Sequence, residues 1–369
     1  IIYVGMDVHT TNYTLCCYSM EDDRFFAEVQ VEPDAKNILK YLARIEKQQS
    51  RDCRIVCGYE AGCLGYSLYH QLHAHGIDCV ILAPTTMMTK PGKRIKTDRR
   101  DARLISKCLA FHTYSPVYIP TEVDDAVKEY IRMRDDANSA LARVKQQIIA
   151  FCIRHGKIHD GKSYWTNKHL EWLSSLDLGN KILSEVLQEY LIRYYQLREQ
   201  VDMYDMRINE LAQAEPYRQK VEKLGCFRGI AAHTALSFCV EVGDFRRFAT
   251  AQQFASYLGL VPGECSSGDK QQYTGITKAG NSHLRKLLVE TAQVFGRSAT
   301  KSGKSVALKE RQAKCDSLTV AYADKANARL KKKYFKIAMR SKVNIAKTAV
   351  AREMACFIWG MMTDNISCA

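Results

Sequence analysis

Four acidic residues, Asp7, Glu60, Asp98 and Asp101, stand where a folded chain can pool their charge. Asp98 and Asp101 lie three apart in Lys96-Thr97-Asp98-Arg99-Arg100-Asp101-Ala102, just before the apolar positions Leu104, Ile105 and Leu109. That spacing puts both on one helical face. Asp7 closes the apolar run that begins at Ile1, and Glu60 closes the run from Arg54. If those runs are neighbouring strands, their acidic ends meet. Crowded carboxylates repel one another and shift toward protonation unless a cation neutralises them. Mg²⁺ suits such a site, because it takes oxygen ligands and keeps positions for water or phosphate. Two such ions, about 4 Å apart, stabilise the attacking and leaving oxygens of an in-line phosphoryl transfer. Any one of the acids taken alone is an ordinary turn or cap residue: Asp98 as a helix N-cap, Asp101 favoured by the helix dipole. The set carries the reading.

Charge around the last two acids agrees with it. Lys90, Lys93, Arg94, Lys96, Arg99, Arg100 and Arg103 fall within a stretch of 14 residues. Basic groups beside acids make sense if the first grip a phosphate backbone and the second cut it. A second chemistry-bearing stretch lies far downstream. Gly259-Leu260-Val261-Pro262-Gly263-Glu264-Cys265-Ser266-Ser267-Gly268-Asp269-Lys270 leads to Thr274-Gly275-Ile276-Thr277-Lys278-Ala279-Gly280-Asn281 and then Leu284-Arg285-Lys286. Its serines, glycines and lysines read as an exposed loop before a helix. Between Lys325 and Lys347 come nine basic residues, Lys331, Lys332 and Lys333 among them, and no acid.

The elements that must hold these residues follow from patterning. Ile1 to Val8, Tyr13 to Met20 and Phe25 to Val31 read as three strands joined by the turn formers Thr10-Thr11-Asn12 and Glu21-Asp22-Asp23. Connections so short make them antiparallel neighbours. Asp34 then caps a helix with Ile38, Leu39, Leu42 and Ile45 on one face. Arg54 to Glu60 is a strand, Leu64, Leu68 and Leu72 mark a helix ending at Gly76, and Ile77 to Ala83 is a strand. Three antiparallel strands followed by alternating helix and strand give the order of a ribonuclease-H-like α/β domain.

From about 122 to 222 the pattern is helical, interrupted near Asp160-Gly161-Lys162-Ser163. Leu183, Leu187, Tyr190, Tyr194, Leu197, Val201, Tyr204, Ile208 and Leu211 alternate at spacings of four and three. Such a seam fits a coiled coil between copies of the chain or a helical hairpin within one. Residues 224 to 261 read as helices around the turn Leu224-Gly225-Cys226-Phe227-Arg228-Gly229-Ile230, the last helix running from Phe245 to Leu260. The turn resembles a helix-hairpin-helix element whose backbone amides can hold a DNA phosphate. Ala231 stands where that element expects its second glycine.

Bulk composition narrows the classes. Of the 369 residues, 54 are basic and 40 acidic, a formal net charge of +14 that suits a polyanionic partner such as DNA or RNA. No run approaches the roughly 18 apolar residues of a membrane span. The apolar N-terminus is short and lacks a basic leader, so a strand and a cytosolic location are expected. The fourteen cysteines include no Cys-x-x-Cys pair. Cys53, Cys57, Cys79, Cys239 and Cys356 sit in apolar runs as reduced core residues.

Asp7, Glu60, Asp98 and Asp101, followed by Leu-Val-Pro-x3-Ser-Ser-Gly and Ile-Thr-Lys-x-Gly-Asn-x2-Leu-Arg, together resemble the DEDD transposases of insertion sequences. These are relatives of the Piv DNA invertases and are also called bridge recombinases. The likeness runs nearly the whole chain, through Ala346-Lys347-Thr348-Ala349-Val350-Ala351-Arg352. It implies a RuvC-like domain (1–120), a helical coiled-coil linker and oligomerisation segment (121–222) and a mainly α transposase domain (223–369). The four acids would be the ligands of two Mg²⁺ ions, and Ser267, with Ser266 adjacent, the nucleophile. A structured bridge RNA would pair with donor and target double-stranded DNA in a homodimer or homotetramer, acids and serine meeting from different protomers. The host would be a prokaryotic cell, the enzyme cytoplasmic and close to the nucleoid.

On this reading the serine forms a covalent phosphoserine–DNA link that a partner 3′-hydroxyl resolves. Lys93, Arg94, Lys96, Arg99, Arg100, Lys270, Lys278, Arg285, Lys331, Lys332 and Lys333 are the expected phosphate contacts. A competing expectation is a metal-dependent junction nuclease that uses water and never forms an adduct. A third is a nucleic-acid-binding protein without catalysis, indifferent to loss of Asp7.

Overall fold

The computed structural model describes residues 1–49, 53–62, 64–87, 97–264, 273–297 and 303–366. They form two compact units, 1–119 and 120–369. Among them no helix is long and apolar enough to cross a membrane. None of the described cysteines is in a disulfide. Cys57, Cys79 and Cys239 are buried, Cys53 and Cys356 half-buried.

The first unit is a mixed five-stranded sheet with helices on both faces. Its strands are β1 (Ile2–Val8), β2 (Tyr13–Ser19), β3 (Arg24–Val31), β4 (Ile55–Glu60) and β5 (Asp78–Leu82), in the order β3-β2-β1-β4-β5. The first three pair antiparallel, as their short turns require, while β4 and β5 join parallel. This is an α/β arrangement consistent with a RuvC-like domain. Helix α1 (Ala35–Gln48) starts where Asp34 accepts a bond from the Lys36 amide, and α2 (Ser67–Ala74) follows β4. Both bury their apolar positions on the face lined by Ile2, Val4 and Met6.

The opposite face carries α3 (Asp98–Ala110). Its cap is Thr97, whose side chain accepts from the Arg100 amide, so Asp98 is spared the capping role and begins the helix proper. Ile105, Cys108 and Leu109 pack against Tyr3, Tyr18 and Leu82. Burial of each such side chain contributes about 1.5–3 kcal/mol. Two glycines set how close α3 comes. Gly5 and Gly58 are register partners across β1 and β4. A Cβ on Gly5 would lie 2.0 Å from the Ala102 carbonyl oxygen and 2.4 Å from the Ser106 nitrogen. One on Gly58 would lie 2.8 Å from the Leu109 side chain. The bare floor lets the helix backbone rest on the sheet.

The second unit is mainly helical. Helices α4 (Glu122–Arg154) and α6 (Lys181–Gln213) form a long antiparallel hairpin with α5 (Asn167–Ser174) at its turn. The direction follows from the pairs Phe151–Tyr190 near one end and Tyr130–Tyr204 near the other. The periodic seam of α6 is buried or half-buried throughout. Leu141, Val144, Ile148 and Phe151 of α4 meet Leu187, Tyr194 and Val201 within the same chain, so an intramolecular hairpin accounts for it.

After α6 come α7 (Arg218–Gly225), α8 (Ala232–Val242) and α9 (Ala251–Tyr257), then strands β6 (Pro262–Glu264) and β7 (Tyr273–Ile276). Helices α10 (Ser282–Gly296), α11 (Val306–Gln312), α12 (Ser317–Ala338) and α13 (Val343–Met362) follow. The helix expected from Phe245 to Leu260 is two pieces. Phe245–Arg247 is a 3₁₀ turn, and α9 restarts where Thr250 caps it by accepting from the Gln253 amide. Phe227, Phe238, Phe254, Leu288, Phe295 and Met354 lie at the heart of this core.

Candidate active site

Three candidate ligands converge on the α3 face of the first unit. Strand alternation puts Gly5 and Asp7 on one side, His9 follows just past the end of β1, and β4 repeats the device two residues after Gly58, at Glu60. Because α3 rests on the paired glycines, its first turn arrives beside the ends of both strands. Asp7, His9 and Asp98 each offer a ligand atom, and those atoms all lie within 4.8 Å of one another. Asp101 stands outside that group, yet its charge acts on Asp7 more strongly than that of Asp98. Glu60, exposed, closes β4 next to the end of β1 by register.

Electrostatically the cluster is short of positive charge. Burial pushes the Asp7 carboxyl above the ordinary aspartate range; His9 opposes this, and the charges of Asp101 and Asp98 add to it. Oδ2 of Asp7 is closed to solvent without a hydrogen-bond partner. His9 Nε2 lies 3.3 Å away but is not aligned to donate to it. Converging oxygens, one of them buried and unsatisfied, fit a divalent cation. Beside them opens a cleft of about 400 Å³ lined by Thr14, Glu28, Gln30, Thr97, Asp98 and Arg99.

His9 escaped the reading of the acids, although the spacing Asp7-Val8-His9 held the signal: residues two apart on a strand share a face. Of the basic residues beside the acids, Arg99 and Arg103 both reach Glu28, at 3.3 and 2.7 Å, and Arg100 is exposed. Lys93, Arg94 and Lys96 lie outside the described residues, as do Ser266, Ser267 and Lys270.

What is described of the serine stretch is its stalk. β6 and β7 pair antiparallel on either side of residues 265–272. Below them the two chain segments cross at close range. A Cβ on Gly259 (φ +64°) would lie 2.1 Å from the Ala279 carbonyl, and one on Gly280 (φ +77°) 2.1 Å from the Tyr257 carbonyl. Only glycine satisfies both the conformation and the contact. Amides of Thr277, Lys278 and Asn281 donate across the crossing to Val261, Gly259 and Tyr257. Arg285 turns into it, donating through Nη1 to the Leu258 and Ala279 carbonyls, while Lys278 stays exposed.

A second group of carboxylates lies in the helical unit, and sequence reading missed it. His283, in the first turn of α10, bonds through Nδ1 to Glu241 at 2.5 Å and through Nε2 to Asp135 at 2.7 Å. Glu241 also accepts from Arg132 at 3.1 Å and from Asn281 at 2.6 Å. His233 Nε2 sits 2.9 Å from Asp135, poorly aligned for a hydrogen bond, and Arg134 makes paired bonds to Asp205. Burial opposes the charged His283 ring, but its two carboxylate partners outweigh burial and push it up to about 9. Burial likewise works against charged Asp135 and Glu241, yet both are held below the carboxylate range, Asp135 by the histidines and Glu241 by His283 and Asn281.

The basic run near the end of the chain is also partly compensated. Glu353 of α13 pairs with Arg329 at 2.5 Å and Lys333 at 2.6 Å. Lys331 is half-buried and Lys332 exposed.

Comparison with known proteins joins these regions. Residues 4–153, a span that includes all four acids, match the DEDD-type IS110 transposase family model. Residues 222–311, with the serine stretch inside, match the model described as the transposase IS116/IS110/IS902 family. The chain is 36% identical over 307 residues to a putative transposase, y4qE, of Sinorhizobium fredii, covering 83% of this chain and 75% of that one. It is 32% identical over 340 residues to the transposase for insertion sequence element IS1533 of Leptospira borgpetersenii, covering 90% and 95%. A transposase for element IS1111A of Coxiella burnetii is 26% identical over 268 residues, covering 69% and 71%.

Proposed function

The chain belongs to the DEDD transposases of the IS110 family of insertion sequences, and from that premise we propose that it cuts and rejoins DNA strands with its acids and a serine acting together. The observation that carries this is the convergence of Asp7 and Asp98, with an oxygen of Asp7 buried and unpartnered. Asp7, Glu60, Asp98 and Asp101 would hold divalent cations, Mg²⁺ in the cell. When bound, such ions stabilise charge on the attacking and leaving oxygens of a phosphodiester. The cleft beside Asp98 and Arg99 gives a DNA backbone room to approach.

Ser267 is our nucleophile. Its Oγ attacks phosphorus and forms the Oγ–P bond, while the P–O3′ bond breaks and the hydroxyl proton passes to the leaving 3′-oxygen. A 3′-hydroxyl of a partner strand then attacks the same phosphorus and releases the serine, so rejoining needs no external energy. Lys278, Lys332, Arg99 and Arg100 would contact phosphates, with Lys93, Arg94, Lys96 and Lys270 from the stretches beside them. Partner choice would come from a structured RNA paired with donor and target DNA, in an assembly of two or four copies. These parts rest on what the motif resemblance to the bridge recombinases implies.

The test uses purified protein, the non-coding RNA of its element, labelled donor and target DNA, and Mg²⁺, examined after denaturation for DNA-linked protein. An adduct that needs the RNA and disappears in Ser267→Ala is the expected result. Survival in Ser267→Ala with loss in Ser266→Ala moves the nucleophile by one residue. Clean cutting without an adduct in the assembled complex overturns the serine step and favours a water-using nuclease.

A further inference from the structure

His9 belongs to no part of the acid motif, yet it stands among the acids. It lies two residues beyond Asp7, just past the end of β1, where its amide donates to the Asn12 carbonyl at 3.0 Å and closes the turn to β2. Its Nε2 comes to 3.3 Å from Asp7 Oδ2, and the Asp98 carboxylate closes a triangle no wider than 4.8 Å.

A histidine beside an acid is commonly its hydrogen-bonded partner, as His283 is to Asp135 and Glu241. The geometry at His9 differs. Asp7 Oδ2 lies 3.3 Å from the imidazole nitrogen yet is buried without a well-aligned donor, so the contact with His9 meets its demand only in part. Asp98 comes from another element and brings a carboxylate oxygen within 4.8 Å of both. Two carboxylates and an imidazole nitrogen so arranged are a mixed oxygen–nitrogen donor set.

We propose that His9 is a ligand of the cation held by Asp7 and Asp98, and that it tilts this position toward Mn²⁺ over Mg²⁺. The inference rests on the metal reading of the acids. Its chemistry is general: Mg²⁺ takes oxygen donors and gives up water reluctantly, whereas first-row transition ions accept imidazole readily. A nitrogen donor adds affinity for Mn²⁺ that it does not add for Mg²⁺.

The experiment uses the full chain with metal alone, free of DNA and RNA. Mn²⁺ and Mg²⁺ affinities are measured by calorimetry for the native protein and for His9→Ala, His9→Gln and Asp7→Asn, with circular dichroism to check folding. Electron spin echo spectroscopy of the Mn²⁺-loaded protein reads whether a ¹⁴N nucleus is bound to the ion. The native protein should show nitrogen coupling that is absent from both His9 variants. Those variants should lose about tenfold or more in Mn²⁺ affinity, on the scale of metal-site perturbations, with much less change for Mg²⁺. Asp7→Asn should lose both ions.

Mn²⁺ binding that depends on Asp7 but shows no nitrogen coupling, with affinity unchanged or increased in His9→Ala, overturns the role of His9 and leaves the acid site standing. Coupling that persists in both His9 variants belongs to another histidine and overturns it equally. If the native protein binds neither ion in an Asp7-dependent way, the metal reading falls as well.

Discussion

Each unit gathers carboxylates, and it treats them in opposite ways. Around Asp7 the acids face one another, burial raises the Asp7 carboxyl, and an oxygen is left without a partner. Around Asp135 and Glu241 the acids are enclosed as well, yet His283, Arg132 and Asn281 satisfy them and both are held below the carboxylate range. A compensated cluster ties helices together. An uncompensated one stores repulsion that a cation relieves. The lesson is that a group of acids is assigned by its unmet charge, not by its number.

The contrast is broken or sharpened by removing one acid from each side. Asp7→Asn should lower strand cleavage at least about thousandfold, the loss of about 4 kcal/mol of transition-state stabilisation, without lowering the melting temperature of the metal-free protein. Activity and thermal scans on one preparation check both halves. Asp135→Asn should do the reverse to stability: leaving His283 without one of its two carboxylates costs up to about 3–5 kcal/mol, read by denaturant unfolding. If Asp7→Asn proves the more destabilising, the contrast fails.

The pH dependence of His283 comes next. Its folded pKa of about 9 exceeds the unfolded value near 6.5, so the stability it adds is complete below pH 6.5 and lost as pH rises through 9. The loss is on the order of 3 kcal/mol. Unfolding curves between pH 6.5 and 9.5 should fall more steeply for the native chain than for His283→Gln. Smaller still, Gly5→Ala should cost about 1–3 kcal/mol as overpacking, because its Cβ meets the Ala102 carbonyl. By lifting α3 from β1 it should also weaken Mn²⁺ binding. Least of all, Lys332→Ala should reduce the slope of log affinity for DNA or RNA against log salt by about one.

How much of this was legible in the sequence depended on distance along the chain. The five strands and the helices between them declared themselves through alternation and turn residues, because each signal lies within a few positions. The acids could be assigned to strand ends and a helix start for the same reason. The glycine pairing beneath α3 was invisible, since Gly5 and Gly58 become partners only once β1 and β4 lie side by side. The His283 links join residues 148 and 42 apart, and no local pattern marks them. The run from Lys325 to Lys347 looks uncompensated in sequence, yet Glu353 reaches two of its neighbours in space. A seam of heptads cannot say which partner fills it. In the structure α4 does, from the same chain.

The crossing of Gly259 and Gly280 has a consequence for how this enzyme can change. Two backbones locked at contact distance hold the ends of residues 265–272 at a fixed span, whatever lies between them. The stretch is in effect a socketed cartridge. Lengthening it adds only slowly growing closure entropy, about 0.6 kcal/mol per doubling, and leaves the fastening untouched. Sequence drift, or a designer, can therefore change the stretch between the strands without renegotiating the fold, provided both glycines stay.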